Sequence, residues 1–202
     1  AVFPVSHEDL FPGGAVRMNG VKFYGNRNPD QVVAYGTAVM VADGGGLAPL
    51  FSQVLELVAG KAPMIIELKV ADGNHAALAT ATCDLLEAYQ GPYCLESFDP
   101  RCIYWLKKHR PGMIRGQLTQ NYLVEPAPFP WILRLMATAQ MFNFLTRPDF
   151  IACRFRDRKN PTNALVRKLW GVQGVAWTLR SKEDFDTAVN DGWLPIFENF
   201  IP

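Results

Sequence analysis

The sequence predicts an α/β fold with parallel strands, and three observations predict it. Six short β-prone runs follow residue 50, segments of helical spacing separate most of them, and capping or breaking residues mark the junctions. Strands that alternate with helices are joined by crossovers, and crossovers set the strands parallel. A doubly wound sheet and a (β/α) barrel both satisfy this alternation, and periodicity alone does not separate them.

In chain order, Ser52 is placed to N-cap a short helix with Val54, Leu55, Leu57 and Val58 as apolar positions and Gly60 at its end. Met64 to Leu68 is the first strand, carrying Glu67 near its end. His75 to Gln90 has helical spacing of Leu78, Leu85, Leu86 and Tyr89, and Gly91-Pro92 stops it. Tyr93 to Phe98 is the second strand. Asp99-Pro100 then supplies an N-cap with proline at the first helical position. That helix buries Ile103 and Leu106, carries basic residues from Lys107 to Arg110 at its C-terminus, and ends at Pro111-Gly112.

Met113 to Leu118, Phe150 to Phe155, Gly174 to Leu179 and Leu194 to Phe197 complete the strands. A helix from about Asn163 to Trp170, ended by Gly171, and another after the Ser181 to Asp184 capping box lie between the later ones. Two segments break the rhythm. Residues 11–49, rich in Gly and Pro, read as a long connection with one short helix. Residues 126–147 begin with Pro126, Pro128 and Pro130 and continue as an apolar stretch too short and interrupted to span a bilayer. They are expected to form an apolar helical insertion, packed on the main domain or serving as a lid, with a membrane-surface or lipid contact as its functional counterpart.

Composition sets further bounds. The chain has 202 residues, one domain by length, with 49% hydrophobic and 19% charged residues, an ordinary globular balance. Lys plus Arg number 20 against 19 Asp plus Glu, so nothing draws the chain as a whole to nucleic acid or to an anionic membrane, while a local basic site for a phosphate needs only a few groups. Cys83, Cys94, Cys102 and Cys153 form no CxxC pair and no zinc pattern. Free thiols suit a reducing compartment, which gives a cytoplasmic location as the expectation.

Six short motifs carry a more specific signal. Pro63-Met-Ile-Ile-Glu67-Leu-Lys69, Glu96-Ser-Phe-Asp-Pro100-Arg101, Arg115-Gly-Gln-Leu118, Arg147-Pro-Asp-Phe150, Val175-Ala-Trp177-Thr178 and Pro195-Ile-Phe-Glu198 occur in series. Their order and spacing resemble the glycerophosphodiester phosphodiesterase family, and Val5-Ser-His7-Glu-Asp9 resembles that family's His-Asp signature.

The resemblance implies a TIM-type (β/α)8 barrel and metal-dependent hydrolysis of glycerophosphodiesters to glycerol 3-phosphate and an alcohol, with two histidines as acid and base. It implies Glu67 as a ligand of a divalent cation, Mg²⁺ or Ca²⁺, and Lys69 as a group that meets the phosphate or holds a neighbouring carboxylate. It implies His7 as general acid for the leaving alcohol, and Trp177 as a wall for the substrate's organic part. Such chemistry needs these groups: a hard cation and an ammonium neutralise the anionic diester, and imidazole moves protons near neutral pH.

The family's opening His-Arg-Gly and its Glu-x-Asp have no counterpart here. The expectation is therefore a partial phosphodiesterase barrel over residues 1–202 that lacks the first two strands and is weak or inactive by itself. Apolar surface left where those strands would sit gives a homodimer as a further expectation. Without the family resemblance, Glu67 is a strand-end carboxylate paired with Lys69, His7 an exposed histidine, and Trp177 a core residue. His75 and His109 read as solvated, and Arg154 and Glu198 as further residues of the mouth. Within enzymes the rival substrate is a lysophospholipid-type phosphodiester; outside them, the rival is a non-catalytic barrel that binds phosphate or a protein.

Overall fold

The computed structural model of the chain describes residues 16–17, 22–25, 32–35, 51–61, 63–70, 73–125, 128–198 and 200. All six predicted strands are present: β4 (Met64–Lys69), β5 (Tyr93–Ser97), β6 (Arg115–Thr119), β7 (Phe150–Arg154), β8 (Gln173–Leu179) and β9 (Leu194–Phe197). Each pairs in parallel with the next.

Residues 11–49 depart from the expected connection. They contain β1 (Val16–Arg17), β2 (Lys22–Gly25) and β3 (Val32–Tyr35), which extend the sheet to nine strands. The short strand β1 lies parallel to β9 at one edge; β2 lies parallel to β4 at the other, with β3 antiparallel outside it. Strands this short and interrupted by Gly and Pro leave too little period-2 pattern to be read from sequence.

The connectivity requires the sheet to curl. Seven spacings of about 4.8 Å would hold β1 and β2 some 34 Å apart in a flat sheet. Only residues 18–21 join Arg17 to Lys22, a covalent reach of about 18 Å. The two edges must therefore approach each other, as they do in a barrel wall. Among the described residues no pairing joins the outermost strands β1 and β3, so the sheet is a curled, incomplete barrel.

The described helices are α1 (Phe51–Val58), α2 (His75–Leu86), α3 (Pro100–His109), α4 (Trp131–Thr138), α5 (Asn143–Thr146), α6 (Pro161–Trp170) and α7 (Lys182–Asn190), of which α1–α3, α6 and α7 cover the outside of the sheet. The caps largely follow the sequence. Asp99 accepts from the Arg101 backbone N–H with Pro100 next, and the Ser181 hydroxyl accepts from the Asp184 N–H at 3.1 Å. Helix α1 begins at Phe51, so Ser52 lies in its first turn and is not its cap. Asn160 caps α6, with Pro161 at the first helical position, so that helix starts two residues earlier than its apolar spacing indicates.

Alternate residues of each strand enter different cores. Ile66, Leu68 and Leu95 face outward onto α1–α3, where they meet Phe51, Leu78, Leu86, Ile103 and Leu106. Ile151, Cys153, Ala176 and Leu179 face outward beside Val166, Ala188 and Trp193. Cys94, Leu118, Phe150, Ala152, Val175 and Ile196 face inward and pack together with Ile65 and Trp177. Burial on both faces explains why the strands read as near-continuous apolar runs.

At the foot of this inner core Gly116 pairs with Phe150, and a Cβ on Gly116 would overlap the Phe150 ring. Glycine here leaves room for the aromatic ring to cross the neighbouring strand. Gly116→Ala is expected to destabilise the protein by about 1–3 kcal/mol through overpacking. Urea denaturation of the two forms measures it.

Candidate active site

The inward residues at the C-terminal ends of the strands converge on one mouth. The pleat that puts Ile65 inside also puts Glu67 and Lys69 inside, and Glu96 follows Cys94 in the same way. Lys69 Nζ donates to Glu67 Oε1 at 2.6 Å, with the carboxylate side chain 4% and the lysine side chain 24% exposed. Glu96 is also buried and is the register partner of Glu67 on the adjacent strand.

Aromatic rings complete this part of the wall. Lys69 Nζ lies 6.0 Å from the centre of the Phe98 ring, which meets Trp177 edge-on at 5.8 Å. Trp177 is half-buried, and its indole N–H donates to the Ala152 carbonyl at 2.9 Å, which fixes the ring. The structure thus brings Glu67, Lys69 and Trp177 to one mouth, with Phe98 between the latter two. His7 lies outside the described residues.

The remaining sequence candidates have other partners. Arg154 ion-pairs with Glu125 and Asp157, and Glu198 pairs with exposed Arg180 at 2.7 Å. His75 is half-buried at the start of α2, with Nδ1 2.9 Å from the Gly73 carbonyl. His109 is exposed at the other end of α3 and stacks on Trp105. Neither touches the Glu67–Lys69 pair. All four cysteines are free and buried, and burial pushes the thiols of Cys83, Cys102 and Cys153 up to about 12, so none is primed as a nucleophile.

Sequence reasoning missed the bracing of the mouth. The buried Ser97 hydroxyl donates to the Leu68 carbonyl at 2.6 Å and accepts from the Asp99 N–H at 3.1 Å. Gln117 Nε2 donates to the Ser97 and Phe98 carbonyls at 3.0 and 3.2 Å. These bonds tie the ends of β4, β5 and β6 together and set the height of Lys69 against Phe98. Both residues stood inside the quoted motifs, but a buried polar residue in a strand has no periodic signal of its role.

A cavity of about 830 Å³ opens from this mouth. It begins at Glu67, Lys69, Phe98 and Asp99 and continues beneath α4 and α5. Phe129, Leu133, Ala137, Gln140, Phe142 and Asn143 of the segment 126–147 line it. Trp131, Ile132 and Leu135 are exposed, and Phe144 is exposed while its ring also meets Trp170 edge-on at 4.9 Å. Among the described residues no helix is long and apolar enough to cross a membrane.

A cation of the Mg²⁺ or Ca²⁺ type takes six or more oxygen ligands. Among the described residues no group of three or more His, Cys, Asp or Glu side chains could enclose one. Glu67 and Glu96 supply carboxylates to the mouth but not a complete coordination shell.

Fold and mouth together define a (β/α)-barrel protein with a charged, aromatic-walled cavity at the C-terminal ends of its strands, the end where such barrels hold their active sites. Solved structures that share this fold include glycerophosphodiester phosphodiesterases. One from Parabacteroides distasonis ATCC 8503 is 13% identical, covering 89% of this chain and 79% of that one at a TM-score of 0.62. A phosphodiesterase from Oleispira antarctica, in complex with the product sn-glycerol-3-phosphate, is 16% identical over 88% of this chain and 78% of its own, with a TM-score of 0.60. A Silicibacter pomeroyi DSS-3 protein named as a glycerophosphoryl diester phosphodiesterase is 19% identical over 75% of this chain, at a TM-score of 0.58. The match spans 52%, about half, of that protein's length. No protein-family model matches the sequence, and no curated protein does.

Asp99 gives a test of the local architecture. Burial acts to raise its pKa, but hydrogen bonds and charge from Arg101, with His75 beyond, outweigh burial and hold it below the ordinary 3.8. Its stabilisation is present in full above that value and is lost as pH falls through the lower folded value. Asp99→Ala is expected to cost about 1 kcal/mol at pH 7 through loss of the cap. The gap in thermal stability to the unaltered chain is expected to close on acidification below pH 3.8.

Proposed function

We propose that this chain is part of a glycerophosphodiester phosphodiesterase, which hydrolyses its substrate to sn-glycerol 3-phosphate and an alcohol. The observation that carries the reading is the Glu67–Lys69 pair, held at 2.6 Å at the end of a barrel strand and walled by Phe98 and Trp177. The shared fold with enzymes of that name supports it.

In this reading the ammonium of Lys69, part-exposed to the cavity, meets the phosphodiester anion, and Glu67 holds the ammonium in place. An anion that leaves water for this mouth needs such a fixed positive charge, and the surrounding apolar wall strengthens the attraction. Phe98 and Trp177 pack against the substrate's organic part. The glycerol hydroxyl next to the phosphate gives its proton to a general base and attacks phosphorus, the P–O bond to the alcohol breaks, and His7 gives the leaving oxygen a proton. Water then opens the cyclic phosphate to the monoester. Glu67 is the residue of this chain assigned to a divalent cation, Mg²⁺ or Ca²⁺, whose chemistry would be neutralisation of the phosphate charge.

Release of choline from glycerophosphocholine tests the reading. Lys69→Met and Glu67→Gln are each expected to lower kcat/KM by roughly 10²-fold or more, as loss of an electrostatic group at a reacting centre does. His7→Ala is expected to lower kcat by about 10²–10⁴-fold. Binding of glycerophosphate with no turnover, weakened by Lys69→Met, would mark the barrel as a phosphate-binding module instead.

A further inference from the structure

Helix α3 has two unlike faces. Cys102, Ile103 and Leu106 are buried in the core beneath it. Arg101, Tyr104, Trp105 and Lys108 recur at the spacing of neighbours on one helix face, with His109 beside the end of the stripe. The outer face of a surface helix is ordinarily polar along its length. This one sets aromatic rings between the cations Arg101 and Lys108, which stand about 10 Å apart along the axis.

A groove of about 440 Å³ runs along this stripe, with Phe142, Leu145 and Thr146 as its other wall. Its size lies within the ~300–1,000 Å³ of small-molecule pockets. Lys107 Nζ donates to the Leu145 carbonyl at 2.5 Å and so holds that wall against α3. Pro100, Arg101 and Phe142 border both the groove and the mouth cavity, whereas Glu67 and Lys69 border only the latter. Among the described residues the lining holds no Asp or Glu; its charged or chargeable side chains include His75, Arg101, Lys108 and His109. Arg101 is already neutralised, its Nε and Nη2 donating to the Asp99 carboxylate at 3.0 and 2.6 Å. Exposed Lys108 makes no ion pair or hydrogen bond among the described residues, so the uncompensated charge lies at its end. Beside it the His109 ring stacks on Trp105 at 4.6 Å. Its Nδ1 donates to the Trp105 carbonyl at 3.0 Å, which leaves Nε2 for a ligand. The Thr146 hydroxyl, which is buried, likewise has no partner among the described residues, and such a group gains from a ligand that supplies one.

We infer that this groove is a second binding site, apart from the mouth, for a small anion with a planar ring, of the nucleoside monophosphate class. The unpaired ammonium calls for an anionic group at the Lys108 end. The aromatic walls call for a ring, which stacks on such side chains whatever its sequence identity. The far end offers Arg101 Nη1, which makes no hydrogen bond among the described residues, to an acceptor on the ring's edge. The phosphate lies against Lys108 and His109, and the base packs among Tyr104, Trp105 and Phe142.

Titration calorimetry of the chain with the monophosphates of adenosine, guanosine, cytidine and uridine tests the site, with inorganic phosphate and adenosine as the two halves of the ligand. At least one nucleotide is expected to bind saturably and more tightly than either half. Lys108→Glu and Tyr104→Ala, both at exposed positions, are each expected to weaken that binding about five-fold or more while thermal melting stays unchanged. The first removes a charge-assisted contact and the second a stacking surface. Lys69→Met, in the mouth, is expected to leave nucleotide binding as it is. Binding that Lys69→Met abolishes and Lys108→Glu leaves intact places the nucleotide in the mouth and overturns the inference. Phosphate or adenosine alone binding as tightly as the nucleotides overturns the ligand class. No saturable binding of any of the four overturns the site, and none of these outcomes bears on hydrolysis at the mouth.

Discussion

Parallel pairing of successive strands is the constraint from which the site follows. Because each strand from β4 to β9 runs the same way, all their C-terminal ends open on one side, and the pleat sends every second residue inward. Once Ile65, Cys94, Ala152 and Val175 are committed to the inner core, Glu67, Glu96, Arg154 and Trp177 have no choice of face. A register slip of one residue would send Glu67 into the apolar layer between sheet and helices, where Ile66 and Leu68 now sit. The inner core therefore fixes the position of the charged groups more firmly than any contact among those groups does.

Burying Glu67 has a cost that the same pleat offsets. A carboxylate taken from water needs a partner, and the residue two positions on along a strand is the nearest one on its face. Lys69 occupies that place. A hydrophobic pair would hold the barrel together at least as well, since buried ion pairs are weak sources of stability. The presence of this buried pair at the mouth is thus better explained by what the mouth binds than by what the fold requires. Lys69 is also the more exposed member, so the charge presented to the cavity is positive.

Much of this was legible in the sequence because its signals are local and strong. Strands β4 to β9 are short apolar runs bounded by Gly, Pro or capping residues, and Asp99-Pro100 and Ser181 announce their helices within four residues. The inward direction of Glu67, Lys69 and Trp177 also followed from a motif series spaced by the barrel itself. The strands within 11–49 escaped because two to four residues cannot display a period. The bracing by Ser97 and Gln117 escaped for another reason: their partners are backbone carbonyls on neighbouring strands, which no pattern along one strand reports. The cavity beneath α4 depends on tethers between residues 16 to 24 positions apart, Tyr122 to Thr138 and Thr138 to Thr162 among them, and those too leave no local trace.

The motifs that raised the family resemblance divide between the two ends of the barrel. At the foot, the Arg115 N–H donates to the Asp149 carboxylate at 2.9 Å, the Asp149 N–H donates to the Arg115 carbonyl at 2.8 Å, and Arg115 Nη2 donates to the Arg147 carbonyl at 3.0 Å. Two motifs that look separate in sequence, Arg115-Gly-Gln-Leu118 and Arg147-Pro-Asp-Phe150, are thus one clip that joins β6 to β7 far from the mouth. Glu67, Lys69, Phe98 and Trp177 occupy the other end. In a barrel the foot contributes stability and the mouth chemistry. A protein that kept only the clip would share the fold without the activity. Here the clip and the mouth residues are present together, and that conjunction gives the functional reading weight that the fold alone could not.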